Sequence, residues 1–171
     1  MTTPAQPSTL DLAARFPGSV TPDERQGYSG WIVSADKLVE FATFLRDELG
    51  YDYLSSLTGV DYLPEGKMEV VYHAYKTTGG PALVFKVQVP RENPEVPSLT
   101  SVYAGAEFQE REAWDLLGIK FTNHPDLRRI LMWEGFEGHP LRKDWHEPFY
   151  EADTKPFKSR WPNGKYTTAE K

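Results

Sequence analysis

The sequence predicts an α+β fold, a two-layer α/β sandwich whose mixed, mostly antiparallel sheet has its helices packed on one face. Three observations support this prediction. An apolar stripe with helical spacing occupies residues 38–49. An aromatic and apolar run and two alternating segments follow between residues 51 and 89, and a second helical pattern begins at residue 98. Helices before and after a run of strands are typical of a helical layer on an antiparallel sheet.

The composition is that of a globular chain and restricts its chemistry. The 171 residues suffice for one domain with a hydrophobic core, because 39% of them are hydrophobic and 26% are charged. The net charge of −6 argues against nucleic-acid binding through bulk electrostatics. The chain has no cysteine, which excludes disulfides, thiolate nucleophiles and cysteine-ligated zinc or iron–sulfur sites.

Nothing in the sequence predicts membrane insertion. No apolar run approaches the roughly 20 residues that span a bilayer. The N-terminal residues lack the basic and apolar regions of a signal peptide, since the first basic residue is Arg15. We therefore expect a protein on the cytoplasmic side without a membrane-embedded part.

The first part of the chain predicts two helices and a strand. Residues 1–26 form an N-terminal segment with a short helix over residues 9–16, and residues 27–34 predict a strand. Ser34 and Asp36 then offer capping side chains to a longer helix, which ends at glycine 50. The apolar stripe of this helix consists of Leu38, Phe41, Leu45 and Leu49.

Three strands are predicted next, as an antiparallel meander. They cover residues 51–63, 68–77 and 82–89. Gly59 is expected to interrupt the first of them. In the third, one face is apolar and the other carries Lys86 and Gln88, so we expect this second face of the sheet to be wet.

A long helix is predicted from Ser98, which would cap it, to Gly118, which would end it in the left-handed conformation. Its apolar stripe consists of Leu99, Val102, Ala106, Ala113 and Leu117. Glu110 falls inside this stripe, where a carboxylate is costly unless it is paired. Because Arg128 and Arg129 follow just beyond the next loop, we expect an ion pair between Glu110 and one of them.

The opposite face of this helix is predicted to be polar and exposed. It carries Glu107, Arg111 and Asp115, an i,i+4 ladder of alternating charge that contributes roughly tenths of a kcal/mol on a solvated surface. Phe108 lies on the same face, where a solvated helix rarely has an aromatic side chain. This position favours a partner surface, and a single exposed aromatic without function is the alternative.

The residues after the helix predict short elements joined by turns. Residues 119–121 predict an edge strand, and Pro125 holds His124 in an extended conformation. The apolar residues 130–133 are expected to pack back onto the core.

Two kinds of active site are weaker interpretations than structural roles. Three histidines with one carboxylate could be imagined to hold a metal, yet their spacings match no helix-borne or zinc pattern. These residues are His124, His139 and His146 with Glu110 or Asp126. Glu110 and Glu112 could be imagined as an acid–base pair, but residues two apart on a helix point about 200° apart. An independent acid–base enzyme would need Glu110, His124 and Arg128 to open into a pocket.

Residues 151–171 are predicted to form an extended C-terminal tail. Aromatic residues such as Phe149, just before the tail, and Trp161 alternate with prolines and charges without a helix or strand period. This composition favours ordering on the surface of a partner. Packing of the tail onto its own sheet is the alternative.

Three motifs make this sequence resemble a known family. They are E-R-E-A-W-D-L-L-G-I at residues 110–119, H-P-D-L-R-R-I-L at 124–131 and H-P-L-R-K-D-W at 139–145. Together they resemble the thirty-kilodalton, or C, subunit of the proton-pumping NADH:quinone oxidoreductase (respiratory complex I). That family includes the J subunit of the photosynthetic NDH complex. The resemblance covers most of residues 30–150, and we expect residues 27–150 to form the corresponding α/β domain.

The resemblance implies a subunit that assists electron transfer from NADH to quinone without chemistry of its own. It would scaffold the quinone-proximal module, peripherally on the cytoplasmic side of the cell membrane, beside the quinone-site subunit (D) and the cluster-bearing subunits (B and I). FMN and iron–sulfur clusters would belong to other subunits. No catalytic, cofactor-binding or metal-binding residue is therefore expected in this chain, and no activity of the isolated chain.

By the same resemblance, the motif residues would shape the core and the contacts with other subunits. These residues are Glu110, Arg111, Glu112, Asp115, His124, Pro125, Arg128, Arg129, Arg142, Lys143 and Asp144. Phe108, Phe149 and Trp161 are further predicted contact residues. Two alternatives stay open: the equivalent subunit of a ferredoxin-fed NDH-type complex or membrane-bound hydrogenase, and, less favoured, the stand-alone acid–base enzyme.

Overall fold

The computed structural model describes residues 9–146, so Phe149, Trp161 and the predicted tail lie outside the described residues. The helices are α1 (Thr9–Arg15), α2 (Leu38–Asp47) and α3 (Ala106–Leu117). The strands are β1 (Val20–Pro22), β2 (Trp31–Val33), β3 (Tyr53–Tyr62), β4 (Lys67–Tyr75), β5 (Leu83–Pro90), β6 (Glu95–Pro97) and β7 (Lys120–Thr122). None of the helices within residues 9–146 has both the length and the apolar character that a membrane crossing requires.

Five strands form one mixed sheet in the order β1-β2-β5-β4-β3. The predicted antiparallel meander of β3, β4 and β5 is confirmed. Strand β2 pairs with β5 in parallel, which makes the sheet mixed, as predicted. The short strand predicted after the long helix is β7, and it pairs in parallel with β6 in a separate two-stranded sheet.

Helices α2 and α3 pack on the same face of the five-stranded sheet. Phe41 of α2 meets Phe85 of β5 edge-on at 5.4 Å between ring centroids, and Phe85 stacks on Tyr72 of β4 at 4.7 Å. Strand pairing places Gly59 of β3 on the same face as Tyr72, and Leu117 of α3 lies over Gly59. The predicted α+β sandwich with helices on one face is therefore confirmed.

Gly59 does not interrupt its strand, and the prediction of a break there is wrong. Strand β3 continues through Gly59 to Tyr62, with regular pairing to β4 on either side of it. A Cβ atom at this position would lie 2.4 Å from Leu117 Cδ1 and 2.9 Å from Ile119 Cδ1. Glycine is therefore used here for the close approach of helix and sheet.

Helix α3 is shorter than predicted, and the prediction that Ser98 caps it is wrong. The helix begins at Ala106, and residues 98–105 form turns. The Ser98 hydroxyl donates to the Glu110 side chain and accepts the Thr100 amide, so it binds a turn and not the first turn of the helix. Gly118 ends the helix with φ +74°, as predicted. Every residue of the predicted apolar stripe is nevertheless buried.

The second face of the sheet is not wet where Lys86 lies, and that prediction is wrong. Lys86 is 3% exposed and Glu69 is fully buried, because the loop after β1 covers them with Asp23 and Arg25. Arg25 donates to Asp23 at 2.7 Å and to Glu69 at 2.8 Å. Arg25 and Lys86 hold the pKa of Asp23 well below its usual range, although burial opposes this shift. Two carboxylates and two cations thus neutralise each other beneath the loop.

The contact at Gly59 leads to a test of the packing between helix and sheet. We expect Gly59→Ala to lower the free energy of unfolding by about 1–3 kcal/mol, because the added methyl group overpacks a filled core. Gly105→Ala is the matched control, since its Cβ would have its nearest contact at 3.7 Å. Urea denaturation measures both variants. Equal stability of the two would contradict this account of the interface.

Candidate functional site

The carboxylate of Asp115 holds the chain that follows β7 against helix α3. Its Oδ2 atom accepts hydrogen bonds from three successive backbone amides, those of Ile130, Leu131 and Met132, at 3.0, 2.8 and 3.0 Å. Its Oδ1 atom accepts one from Arg129 at 2.6 Å. Burial alone would raise the pKa of Asp115, but these hydrogen bonds lower it below its usual value. The sequence-based prediction of Asp115 as an exposed ladder residue is wrong, because its side chain is fully buried.

The same chain segment covers the C-terminal end of α3. We call residues 129–142 the clasp, because they close over the helix end. The backbone carbonyl of Asp115 accepts hydrogen bonds from Arg129 at 3.2 Å and from His139 Nδ1 at 3.0 Å. The carbonyl of Leu116 accepts one from the Leu141 amide at 2.9 Å, and that of Leu117 accepts one from Arg142 at 2.7 Å. The clasp thereby satisfies helix carbonyls that would otherwise lack an intrahelical donor.

Gly118 gives the clasp its close approach to the helix end. A Cβ atom there would lie 2.6 Å from the His139 ring and 2.9 Å from the Arg142 guanidinium. Burial lowers the pKa of His139, and the nearby charges of Arg142 and Arg129 lower it further. His139 therefore serves as a neutral donor to the helix above its lowered pKa.

A second group of ion pairs fixes Lys143 and Asp144, near the end of the third sequence motif, to the sheet. Arg91 donates two hydrogen bonds to Asp61, at 2.7 and 3.0 Å, and it also pairs with Asp144. The backbone amide of Lys143 donates to Asp61 at 2.8 Å. Asp61 and Arg91 were not among the residues predicted from the sequence. The available signal was the alternation of β3, which places the Asp61 carboxylate on the helix-covered face of the sheet.

Glu110 is paired with neither Arg128 nor Arg129, and that prediction is wrong. Its Oε2 accepts a hydrogen bond from the Ser98 hydroxyl at 2.6 Å, and its Oε1 accepts one from the Leu99 amide at 2.7 Å. Arg128 is a surface residue that pairs with Asp126 at 2.8 Å, while Arg129 pairs with Asp115. Burial raises the pKa of Glu110 to about 7, although its two hydrogen bonds act in the opposite direction.

The acid–base constellation does not open into a pocket. The side chains of Glu110 and His124 are fully buried, with His124 Nε2 at 4.0 Å from Glu110 Oε2, whereas Arg128 points to the surface. His124 Nδ1 accepts the Asp126 amide, so the proton of the neutral ring lies on Nε2 and is donated to the Glu107 carbonyl. Within residues 9–146, no three histidine, aspartate or glutamate side chains are grouped as metal ligands.

The remaining motif residues divide between the interior and the surface. Arg111 is buried, contrary to the prediction, and it donates to the Arg128 carbonyl and to Glu107, each at 3.2 Å. Glu112 and Pro125 are exposed. The predicted Glu107–Arg111 pair of the i,i+4 ladder is therefore present, but it lies beneath the segment that carries Arg128.

Large apolar side chains remain exposed around this region. Phe108 is exposed, as predicted. Leu131 and Trp133 are also exposed, so the prediction that residues 130–133 pack back onto the core is wrong for these two, whereas Ile130 and Met132 are half-buried. Asp115 accepts hydrogen bonds from the backbone amides of residues 130–132 in this run. We call this set the α3 surface, and it consists of Phe108 (62% exposed), Leu131 (54%), Trp133 (58%) and Leu141 (56%).

Comparisons with known proteins give one consistent result. Residues 31–151 match the sequence model of a family described as "Respiratory-chain NADH dehydrogenase, 30 Kd subunit". The chain is 47% identical over 114 residues to the C subunit of the NADH-quinone oxidoreductase of Moorella thermoacetica, a match that covers 67% of this chain and 77% of that protein. It is 36% identical over 156 residues to the corresponding protein of Geobacter sulfurreducens, covering 90% and 95% of the two chains.

A solved structure agrees with these matches. The trypsin-resistant fragment of Nqo5 superposes with a TM-score of 0.56 at 28% sequence identity. The superposition covers 69% of this chain and 95% of the fragment.

The two neighbouring arginines give a matched test of the clasp. We expect Arg129→Ala to lower the free energy of unfolding by about 2 kcal/mol, because it removes the charged partner of the buried Asp115. Arg128→Ala should change it by less than about 0.5 kcal/mol, since Arg128 forms an exposed pair. Chemical denaturation of both variants provides the measurement. A larger loss of stability for Arg128→Ala than for Arg129→Ala would contradict this assignment of the two ion pairs.

Proposed function

The chain belongs to the family of the respiratory-chain NADH dehydrogenase 30 Kd subunit, and from this premise we propose that it is a non-catalytic, peripheral-arm subunit of a proton-pumping NADH:quinone oxidoreductase. It scaffolds the quinone-proximal module during electron transfer from NADH to quinone. Its partners are other subunits of the complex, in particular the quinone-site subunit (D) and the cluster-bearing subunits (B and I). It acts on the cytoplasmic side of the membrane, as a peripheral component.

The observation that carries this proposal is the structural role of the Asp115 carboxylate, which holds the clasp. The carboxylate is fully buried and binds three backbone amides and Arg129, so it is engaged in holding the clasp. The nearby Glu110, Arg111 and His139 also bind the chain itself. The charged motif residues that could have formed an active site therefore support a loop structure.

The clasp also determines which side chains the protein offers to neighbours. Asp115 binds only the backbone amides of residues 130–132, so it does not engage their side chains. Leu131 and Trp133 are more than half exposed, and Phe108 of α3 is exposed as well. Apolar and aromatic side chains held on a rigid backbone are typical of the centre of a protein–protein interface. The α3 surface is thus the part of the described chain that we propose contacts the other subunits.

The non-catalytic role is tested with the purified chain. Alone in buffer, the full chain should show no visible absorbance and no NADH oxidation, because the redox groups belong to other subunits. Absorption spectroscopy and a turnover assay with NADH and a soluble quinone provide the measurement, with the assembled complex as the positive control. Bound flavin or turnover by the isolated chain would refute the proposal.

The α3 surface is tested by its effect on assembly. In a strain whose own copy is replaced by Leu131→Glu, we expect a loss of the assembled complex on native gels and of NADH:quinone reductase activity in membranes, because a charge enters an apolar contact. The control is Tyr53→Glu, which places the same charge at a similarly exposed position (54%) at the start of β3 and should leave assembly normal. Both purified chains should unfold at the wild-type denaturant concentration. Normal assembly with Leu131→Glu would exclude this surface as a contact.

A further inference from the structure

A line of three oxygen groups leads from the core towards the surface where the end of β6 meets α3. Ser98 Oγ lies 2.6 Å from Glu110 Oε2 and 2.8 Å from Thr100 Oγ1. Glu110 is fully buried, Ser98 is buried and Thr100 is partly exposed. We infer that these residues form a proton-binding site, in which Glu110 holds the proton and the two hydroxyls connect it to solvent. This inference does not depend on the proposed function.

Among residues 9–146, the carboxylate of Glu110 has hydrogen-bond donors but no bound cation. Its carboxylate accepts two hydrogen bonds from uncharged donors, Ser98 and the Leu99 amide. Within residues 9–146, no lysine or arginine forms an ion pair with it. The titratable groups that face it from neighbouring elements are His124, beyond β7, and Tyr72 of β4, whose hydroxyl is buried without a hydrogen-bond partner in the described residues. Neither group supplies a cation that is hydrogen-bonded to the carboxylate.

The polar side chains near this point are bound to other groups. His124 Nε2 lies 4.0 Å from Glu110 Oε2, and its proton is donated to the Glu107 carbonyl at 3.1 Å. On α3 itself, Arg111 binds Glu107 and the Arg128 carbonyl. A buried carboxylate without a cation is costly, and taking up one proton removes this cost. The raised pKa of Glu110, about 7, agrees with this geometry.

The hydroxyls can carry a proton without movement of the backbone. In the ionised state Ser98 donates to Glu110, and Thr100 can donate to Ser98 through its hydroxyl. When a hydronium ion in the solvent protonates Thr100 Oγ1 and becomes water, the threonine proton passes to Ser98 and the serine proton passes to Glu110 Oε2. In the neutral state Glu110 donates to Ser98, which donates to Thr100. One proton has left the solvent and one O–H bond has formed on the carboxyl group.

The sign of the resulting pH dependence follows from the raised pKa. The folded chain binds this proton more tightly than the unfolded chain, in which Glu110 has its ordinary pKa of 4.5. The stabilisation is therefore complete below pH 4.5 and is lost as the pH rises through about 7. Glu110 thus changes charge in the neutral range, where exposed carboxyl groups are already ionised.

Infrared titration of the full chain tests the site directly. Between about pH 5.5 and 9, we expect a protonated-carboxyl C=O band that disappears with a midpoint near neutrality, because ordinary carboxyl groups are ionised throughout this range. Glu110→Gln should abolish the band, and Glu112→Gln, an exposed position on the same helix, should leave it unchanged. Absence of the band from the wild-type chain, or its persistence in Glu110→Gln, would overturn the inference.

The hydroxyl connection is tested by two further variants with opposite expected shifts. Ser98→Ala removes a donor to the ionised carboxylate, so the midpoint should move upward. Thr100→Val leaves the Ser98 hydroxyl proton without its acceptor in the neutral state, whereas in the ionised state Ser98 keeps its bonds to Glu110 and to the amide of residue 100, so the midpoint should move downward. Circular dichroism checks that each variant is folded. Shifts in the same direction, or no shift in either, would overturn the relay, and this comparison with the wild type stands even if Glu110→Gln fails to fold.

Discussion

The hydrogen bonds of the Asp115 carboxylate are the interaction on which the second half of the structure depends. One side chain binds three successive backbone amides and one guanidinium, and it does so from the last turn of α3. The chain after β7 has no regular secondary structure to satisfy its own backbone groups, as far as residue 146. The Asp115 carboxylate accepts hydrogen bonds from amides of the clasp. In return, the clasp donates hydrogen bonds to the carbonyls at the end of the helix.

Two buried carboxylates on the same helix have opposite electrostatic properties, and the number of donors explains the difference. Asp115 accepts three amides and a cation, which together outweigh its burial and lower its pKa. Glu110 accepts one hydroxyl and one amide, which do not outweigh its burial, so its pKa rises. The first is held ionised as a structural anchor, whereas the second can exchange a proton in the neutral range.

The sequence predicted the elements better than the partners of its polar residues. Alternation in β4 and β5 and the apolar stripes of the helices depend only on periodicity, and they were confirmed because the core enforces them. Ser98 was mistaken for a helix cap, since a capping serine and a serine that binds a buried glutamate have the same sequence context. Lys86 was expected in water for a similar reason: alternation identifies the face of a strand, but it does not show that a loop with Asp23 covers it.

The incorrect pairing of Glu110 illustrates why ion pairs are hard to assign from sequence. Arg128 and Arg129 are neighbours in the chain, yet the backbone turn held by Asp115 sends one to the surface and the other to the end of α3. Their different positions depend on hydrogen bonds to backbone amides. Because nearly every residue type has such an amide, the sequence does not identify these bonds. Leu131, whose amide is one of the three, and Trp133 are both more than half exposed. A buried carboxylate thus holds the backbone from which these two exposed apolar side chains extend.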